Sequence, residues 1–377
     1  VCFEEMQSKG VIPDAVTLTY TLKACATMSI RAIRKGRELE AQAKSMDLLD
    51  KDMYIASTLV NMYGEHGMLA SMQEIFDKLP IRNVVLWTVC ISGYVKLGHC
   101  KEALELFELM RLEGIPPNAA TYVCGLKACG SVGSVERGKG VHLLLLNGGH
   151  FQFDKSRFRS LHMKNNPRNF DVKNNINVGN AIVDMYSKCG ALKKAQEVFE
   201  QLPVRDAVCW NVLIGGYAQL GQANVVFDLY RRMKTEDIVP NLITFIVLLN
   251  ACSHAGLVKE GEKLFDELSV AYCITPTLEH YTCLMDLFCR AGHFDKALAV
   301  IKAMPSSDYL PILGALLGAC QKWVNVRLGK FAFEKAIQLD NTNMTAYICM
   351  ANIYKASGMH ECAKSIEIMR LNNIAPK

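Results

Sequence analysis

Apolar residues recur along this chain with the period of a helix, and the runs are interrupted at regular places. Between residues 84 and 118 a first apolar-periodic stretch runs from about Leu86 to Val95 and stops at "KLGH". A second runs from Lys101 to Leu112 and stops at "EGIPPN". Glycine and proline end helices through backbone geometry, so the spacing predicts a helical hairpin here. The second stretch carries apolar residues at i, i+4 and i+7: Ala103, Phe107 and Met110. The same stripe returns as Met72, Phe76, Leu79; as Ala195, Phe199, Leu202; as Val226, Tyr230, Met233; and as Ala297, Ile301, Met304. That spacing turns one face of every second helix inward. A single hairpin cannot bury such a face, whereas stacked neighbours can, so the pattern predicts an α-solenoid whose stripe residues are core.

The hairpins repeat in a long period. "NMYGEHG" (61–67), "DMYSKCG" (184–190) and "DLFCRAG" (286–292) are one phrase, 123 and 102 residues apart. "ISGYVKLGH" from Ile91 and "IGGYAQLGQ" from Ile214 are a second phrase, again 123 apart. Units of 31 (176–206), 35 (207–241) and 36 residues (242–277) together make the shorter interval. The 21 additional residues of the longer one are segment 155–175, an insertion between units.

Composition narrows the picture. Half of the 377 residues are hydrophobic, which supports a large core. No apolar run approaches a membrane span; a block such as Leu143 to Leu146 is far too short. The 15 cysteines include no C-x-x-C pair, which speaks against zinc and against a disulfide scaffold. Four sit in one recurring phrase, as Cys25, Cys129, Cys252 and Cys320, and read as small core residues. The net charge of +5 is that of the insertion alone; the remainder holds 36 basic and 36 acidic residues. Bulk charge therefore gives no argument for nucleic acid outside 155–175. That segment reads as a surface loop, as a phosphate-contacting arm, or as sequence foreign to the fold.

The alternation of 31, 35 and 36 residues resembles the pentatricopeptide repeat family of plant organelles, in its subclass of alternating long, short and standard units. "VLWTVCISGYVKLGHCKEALELFELMRLEGIPPN" (85–118) and 207–241 resemble standard units; 53–83, 176–206 and 278–308 short ones; 15–52, the stretch from 120 and 242–277 long ones. Residues 1–14 look like the end of a truncated standard unit, with the array running from 15 to 308. Residues 311–370, opening on "PILGALLGACQKW", resemble the E-type extension, placed at 309–377 and itself similar to tetratricopeptide hairpins. The resemblance implies a right-handed α-solenoid superhelix of helix-turn-helix repeats. It implies a site-recognition factor for C-to-U editing of single-stranded organellar RNA, in mitochondrion or chloroplast. Because the chain opens on Val1 inside a helical phrase, the natural start and any targeting peptide are expected upstream.

No enzyme is expected. A zinc deaminase needs H-x-E with P-C-x-x-C, and no histidine here has Glu two residues on. The deaminase, of the DYW type, or another editing factor would be a partner docked through the extension, and no cofactor, metal or membrane is expected. "GSVERGKG" (133–140) mimics a phosphate loop but has Gly140 where Ser or Thr is required; it is expected to join two helices of a long unit.

Helical-repeat binders read one unstacked base per unit with two or three side chains. In the family the fifth and last residues of a unit select. Carried over, the pairs are Ser57 with Asn83, Thr88 with Asn118, Asn180 with Asp206, Asn211 with Asn241, and Thr282 with Asp308. Ser or Thr with Asn implies adenine, Asn with Asp uracil, Asn with Asn a pyrimidine, and Thr with Asp guanine. Long units offer Thr19, Val123 and Ile246; Val and Ile cannot bond a base edge, so these units are silent. The implied reading is A-A-any-U-pyrimidine-any-G. The last residues are also natural N-caps, each worth about 1 kcal/mol, and capping alone could explain them. It does not predict their partners at the fifth place. Other readings are a protein-interaction solenoid, or a factor for RNA stability, splicing or processing.

Overall fold

The computed structural model describes residues 2–28, 32–146, 175–304 and 310–374. Among the described residues every regular element is a helix, in the order α1 (Cys2–Ser8), α2 (Ala15–Thr27), α3 (Ala32–Ser45), α4 (Leu48–Lys51), α5 (Met53–Glu65), α6 (Leu69–Lys78), α7 (Val84–Lys96), α8 (Cys100–Leu112), α9 (Ala119–Val132), α10 (Val135–Leu146), α11 (Ile176–Lys188) and α12 (Leu192–Gln201). The order continues with α13 (Ala207–Gln219), α14 (Ala223–Thr235), α15 (Leu242–Ala255), α16 (Val258–Val270), α17 (Leu278–Arg290), α18 (Phe294–Ala303), α19 (Leu310–Trp323), α20 (Val326–Leu339), α21 (Met344–Ala356) and α22 (His360–Ile374). None is long and apolar enough to cross a membrane.

Backbone packing divides the chain into two units, Val1–Arg205 and Asp206–Lys377. Their boundary is the junction between a short and a standard repeat. In the first unit the leading helices of the hairpins pack in a row, α2 on α5, α5 on α7, α7 on α9 and α9 on α11. In the second the row is α13, α15, α17, α19 and α21. The second helix of a hairpin packs on its own first helix and, in most hairpins, on the next one, as α6 does on α7 and α16 on α17. Each unit is thus an α-solenoid of helix-turn-helix repeats.

The "KLGH" stop works through Gly98, whose φ of 81° lets its N–H reach the Val95 carbonyl at 3.1 Å and that of His99 reach Tyr94 at 2.9 Å. Met72, Phe76, Ala103, Phe107, Met110, Ala195, Phe199, Val226, Tyr230, Met233 and Ala297 are buried. Leu202 and Ile301 are only half-buried, so the stripe is less uniform than its spacing suggests. In short units its third residue, Leu79, Leu202 or Met304, has left the helix for an extended C-cap. There it folds back over the hairpin: a Cβ on Gly179 would come within 2.7 Å of Leu202 Cδ2. Arg82 closes the same corner in the first short repeat. Its guanidinium lies 4.8 Å from the Phe76 ring centre and donates to the carbonyls of Phe76 (3.1 Å) and Asp77 (3.2 Å).

The recurring cysteines Cys25, Cys129, Cys252 and Cys320 are buried, and burial pushes the thiols of the last three up to about 12. Among the described residues no cluster of histidine, cysteine or carboxylate side chains could hold a metal ion.

Candidate nucleic-acid interface

At seven junctions among the described residues, from residue 14 to residue 241, the residue before a first helix sits in extended conformation and caps that helix with its side chain. The side-chain oxygen of Asp14 accepts from Thr17 N at 2.8 Å, Asp52 from Tyr54 N at 2.8 Å and Asn83 from Leu86 N at 2.9 Å. Asn118 accepts from Thr121 N at 2.9 Å, Asn175 from Val178 N at 3.4 Å, Asp206 from Cys209 N at 2.9 Å and Asn241 from Thr244 N at 3.1 Å. Capping is therefore a real role of these residues. It engages one oxygen only. An asparagine so used keeps its Nδ2 donors, and an aspartate keeps a second oxygen. The two readings of these positions draw on different atoms and are compatible.

The hydroxyl residues at the fifth place bond back into their own helices. Ser57 donates to Tyr54 O at 3.0 Å, Thr88 to Val84 O at 2.7 Å and Thr282 to Leu278 O at 2.8 Å. Thr19 of the first long repeat does the same to Ala15 O at 2.8 Å. With the proton so directed, each oxygen is left as an acceptor, which at Thr88 already meets the Thr121 hydroxyl. Val123 and Ile246 are half-buried.

Asn211 and Asn241 meet directly. The Asn211 amide donates to Asn241 Oδ1 at 3.1 Å, while its own Oδ1 is buried and has no hydrogen-bond partner among the described residues. An orphaned buried acceptor costs about 1–3 kcal/mol, and a ligand donor would remove that cost. Thr88 and Asn118 are joined through Thr121, whose hydroxyl lies 2.6 Å from Thr88 Oγ1 and 2.9 Å from Asn118 Oδ1. Ser57 and Asn83 share no hydrogen bond; each is tied to its own helix. Asn180 is buried in the first unit, and Asp206 begins the second. Asp308, the expected partner of Thr282, lies outside the described residues, as does the insertion up to residue 174.

Sequence reasoning missed two sets of residues. Thr17, Thr121 and Thr244 are each third in a long repeat, and each hydroxyl meets the preceding cap oxygen, at 2.6, 2.9 and 3.2 Å. Around Asn118 and Asn241 the threonine also accepts from the cap backbone, completing a capping box. The signal was present as D/N-x-x-T at each junction. The second set is apolar and exposed: Val16, Tyr54, Val85, Val208 and Ile243, each second in its repeat. Only solvent exposure separates them from core residues.

The phosphate-loop mimic lies where two helices meet: Gly133 and Ser134 form the turn between α9 and α10, and the rest of the phrase, from Val135, is the start of α10. Gly138 lies inside α10 because a Cβ there would come within 2.2 Å of Met185 Sδ on α11.

Models of the PPR repeat family match residues 82–131 and 205–254, and the PPR repeat itself matches 180–206, 243–273 and 279–309. The chain carries pentatricopeptide repeats. Curated relatives with these repeats include the mitochondrial pentatricopeptide repeat-containing protein At1g06140 of Arabidopsis thaliana, 32% identical over 96% of this chain and 60% of the relative. The chloroplastic protein CRR2 of the same plant is 33% identical over 96% of this chain and 52% of its own length. The chain thus spans a little over half the length of these pentatricopeptide relatives. Among solved structures, the pentatricopeptide repeat protein PPR10 in complex with an 18-nucleotide psaJ RNA element superposes with a TM-score of 0.67 at 17% identity, over 98% of this chain and 52% of that one. That likeness shows the fold.

Proposed function

We propose that the chain binds single-stranded RNA in a sequence-specific manner, one base per short or standard repeat, and acts as a site-recognition factor for C-to-U editing of organellar transcripts. The observation that carries the reading is the Asn211–Asn241 contact, which engages the Asn241 Oδ1 and leaves the Asn211 Oδ1 acceptor without a partner among the described residues. A uracil or cytosine edge offers the complementary donor. Val208, exposed three residues before Asn211, provides an apolar surface for the face of the base. Thr88 and Thr282, held as acceptors, suit the amino or imino groups of a purine edge. The RNA named with PPR10 and the mitochondrial and chloroplastic names of the relatives support an RNA ligand and an organellar location. The PLS subclass with an E-type extension at 309–377 belongs to this reading. So does a deaminase acting in trans, docked on that extension.

The test uses synthetic RNAs carrying A-A-N-U-Y-N-G. Exchanging the U and G positions should weaken binding by roughly tenfold or more per mismatched base, at about 1–3 kcal/mol each. Asn211→Thr creates the adenine-type pair with Asn241 and should shift preference at that one position. Equal affinity for matched and exchanged RNA rejects the reading in favour of a protein-binding solenoid.

A further inference from the structure

The long repeats, silent toward bases, expose a face that the selecting pairs leave unused. On α2 that face carries Val16, Tyr20 and Lys23; on α9 it carries Ala120 and Lys127. These spacings keep the residues on one side of the helix. Lys23 and Lys127 are each ninth in their repeat, one turn beyond the fifth residues Thr19 and Val123. The third long repeat has exposed Asn250 there, its Oδ1 accepting from Cys283 Sγ at 3.1 Å. Short repeats have Asn61, Asp184 and Asp286 at the ninth place, and standard repeats Ser92 and Gly215.

Three other cations on first helices between residues 53 and 290 are neutralised. Lys96 pairs with Glu65, Lys188 with Asp184 at 2.8 Å and Arg290 with Asp286 at 2.7 Å. Lys23 and Lys127 pair with no carboxylate among the described residues. The Lys23 ammonium instead lies 5.5 and 5.7 Å from the ring centres of the exposed Tyr20 and Tyr54. Such contacts hold a cation in position without cancelling its charge. In a chain that is neutral outside its insertion, uncompensated cations at fixed places can hold an anionic strand in register.

Resting on the RNA-binding reading, we infer that the long repeats grip the RNA backbone, Lys23 and Lys127 each contacting a phosphate, so that backbone holding alternates with base reading along the array. The experiment measures binding of the full chain, as a function of salt, to a synthetic RNA carrying A-A-N-U-Y-N-G with two further nucleotides 5′ of the first A, so that the repeat of Lys23 also has a strand to hold. K23Q/K127Q should reduce the slope of log affinity against log salt by about 1.4, because each single-strand phosphate contact contributes about 0.7. Discrimination between matched and exchanged RNA should persist, and K23R/K127R should keep the wild-type slope. K101Q/K259Q, which removes exposed cations from second helices, should leave the slope unchanged. An unaltered slope in K23Q/K127Q, or an equal loss in K101Q/K259Q, overturns the inference while base reading stands. A wild-type chain that grips RNA without discriminating overturns the base-reading proposal instead, and the lysine slopes still decide the inference.

Discussion

Asn241 shows how one side chain can serve stability and recognition at once. Its Oδ1 accepts from Thr244 N, from Thr244 Oγ1 and from Asn211 Nδ2, at 3.1, 3.2 and 3.1 Å. Asparagine and aspartate are comparable N-caps, but only asparagine keeps an amide donor. Asn241→Ala should therefore lose about 1 kcal/mol in urea denaturation together with base selectivity. Asn241→Asp should keep stability within a few tenths and narrow the preference from pyrimidine to uracil. If both variants lose stability and binding in parallel, the residue is a cap and nothing more. A second residue-scale effect concerns two histidines. Burial, aided by Lys194, pushes His142 down to about 4, and burial lowers His280 against the Leu242 carbonyl and Glu279, which raise it. His280 Nδ1 lies 3.2 Å from Thr277 N and its Nε2 3.0 Å from Leu242 O, an arrangement that suits the neutral ring. A pKa depressed on folding means that protonation favours the unfolded chain. The stability is present above the ordinary value of 6.5 and is lost as pH falls toward 4. Urea midpoints should drop across that window, and H142Q/H280Q should flatten the drop.

At the scale of elements, four hairpins share a packing device. Gly36, Gly138, Gly261 and Gly329 lie on second helices, and a Cβ at each would come within 2.2 to 2.8 Å of Met62, Met185, Leu287 or Ile353 on the next first helix. The large side chain fills the room that the missing Cβ leaves, which lets helix pairs such as α16 and α17 approach. Gly261→Ala should destabilise by about 1–3 kcal/mol through overpacking, despite the better helix propensity of alanine. Shortening Leu287 to alanine in the same chain should recover part of that loss, so the double mutant in chemical denaturation would be less destabilised than the sum of its parents. Strict additivity would mean that the glycine is not there for Leu287. The spacing from Cys129, Cys252 and Cys320 to Gly138, Gly261 and Gly329 is nine residues in each case. That regularity was visible in the sequence, but its meaning was not, because periodicity does not reveal which helix comes close.

For the whole molecule, repeats that touch only their neighbours make stability a sum of local terms. Asp206–Lys377 holds its own row of first helices and its own core, from Trp210 and Phe245 to Tyr347. A fragment of these residues should fold by itself, with helical circular dichroism and a cooperative melt; a featureless spectrum would show that it needs the first unit. The repeat phrases made hairpins, stripes and pairs legible because a solenoid translates sequence period into spatial period. The shortfall lay where two elements meet, as at Leu202, half-buried at an extended cap, or at Thr121, linking Thr88 to Asn118.

Sequence alone determined the helical hairpins, their repetition along the chain and the capping residues that precede the first helices. These follow from 3.6-residue periodicity and from helix-ending residues, which act locally. Tertiary structure decided which cap atoms are engaged, which fifth residue meets its partner, and which lysines keep an uncompensated charge. Those properties depend on distances between helices and on neighbours far along the chain, and no local pattern encodes them.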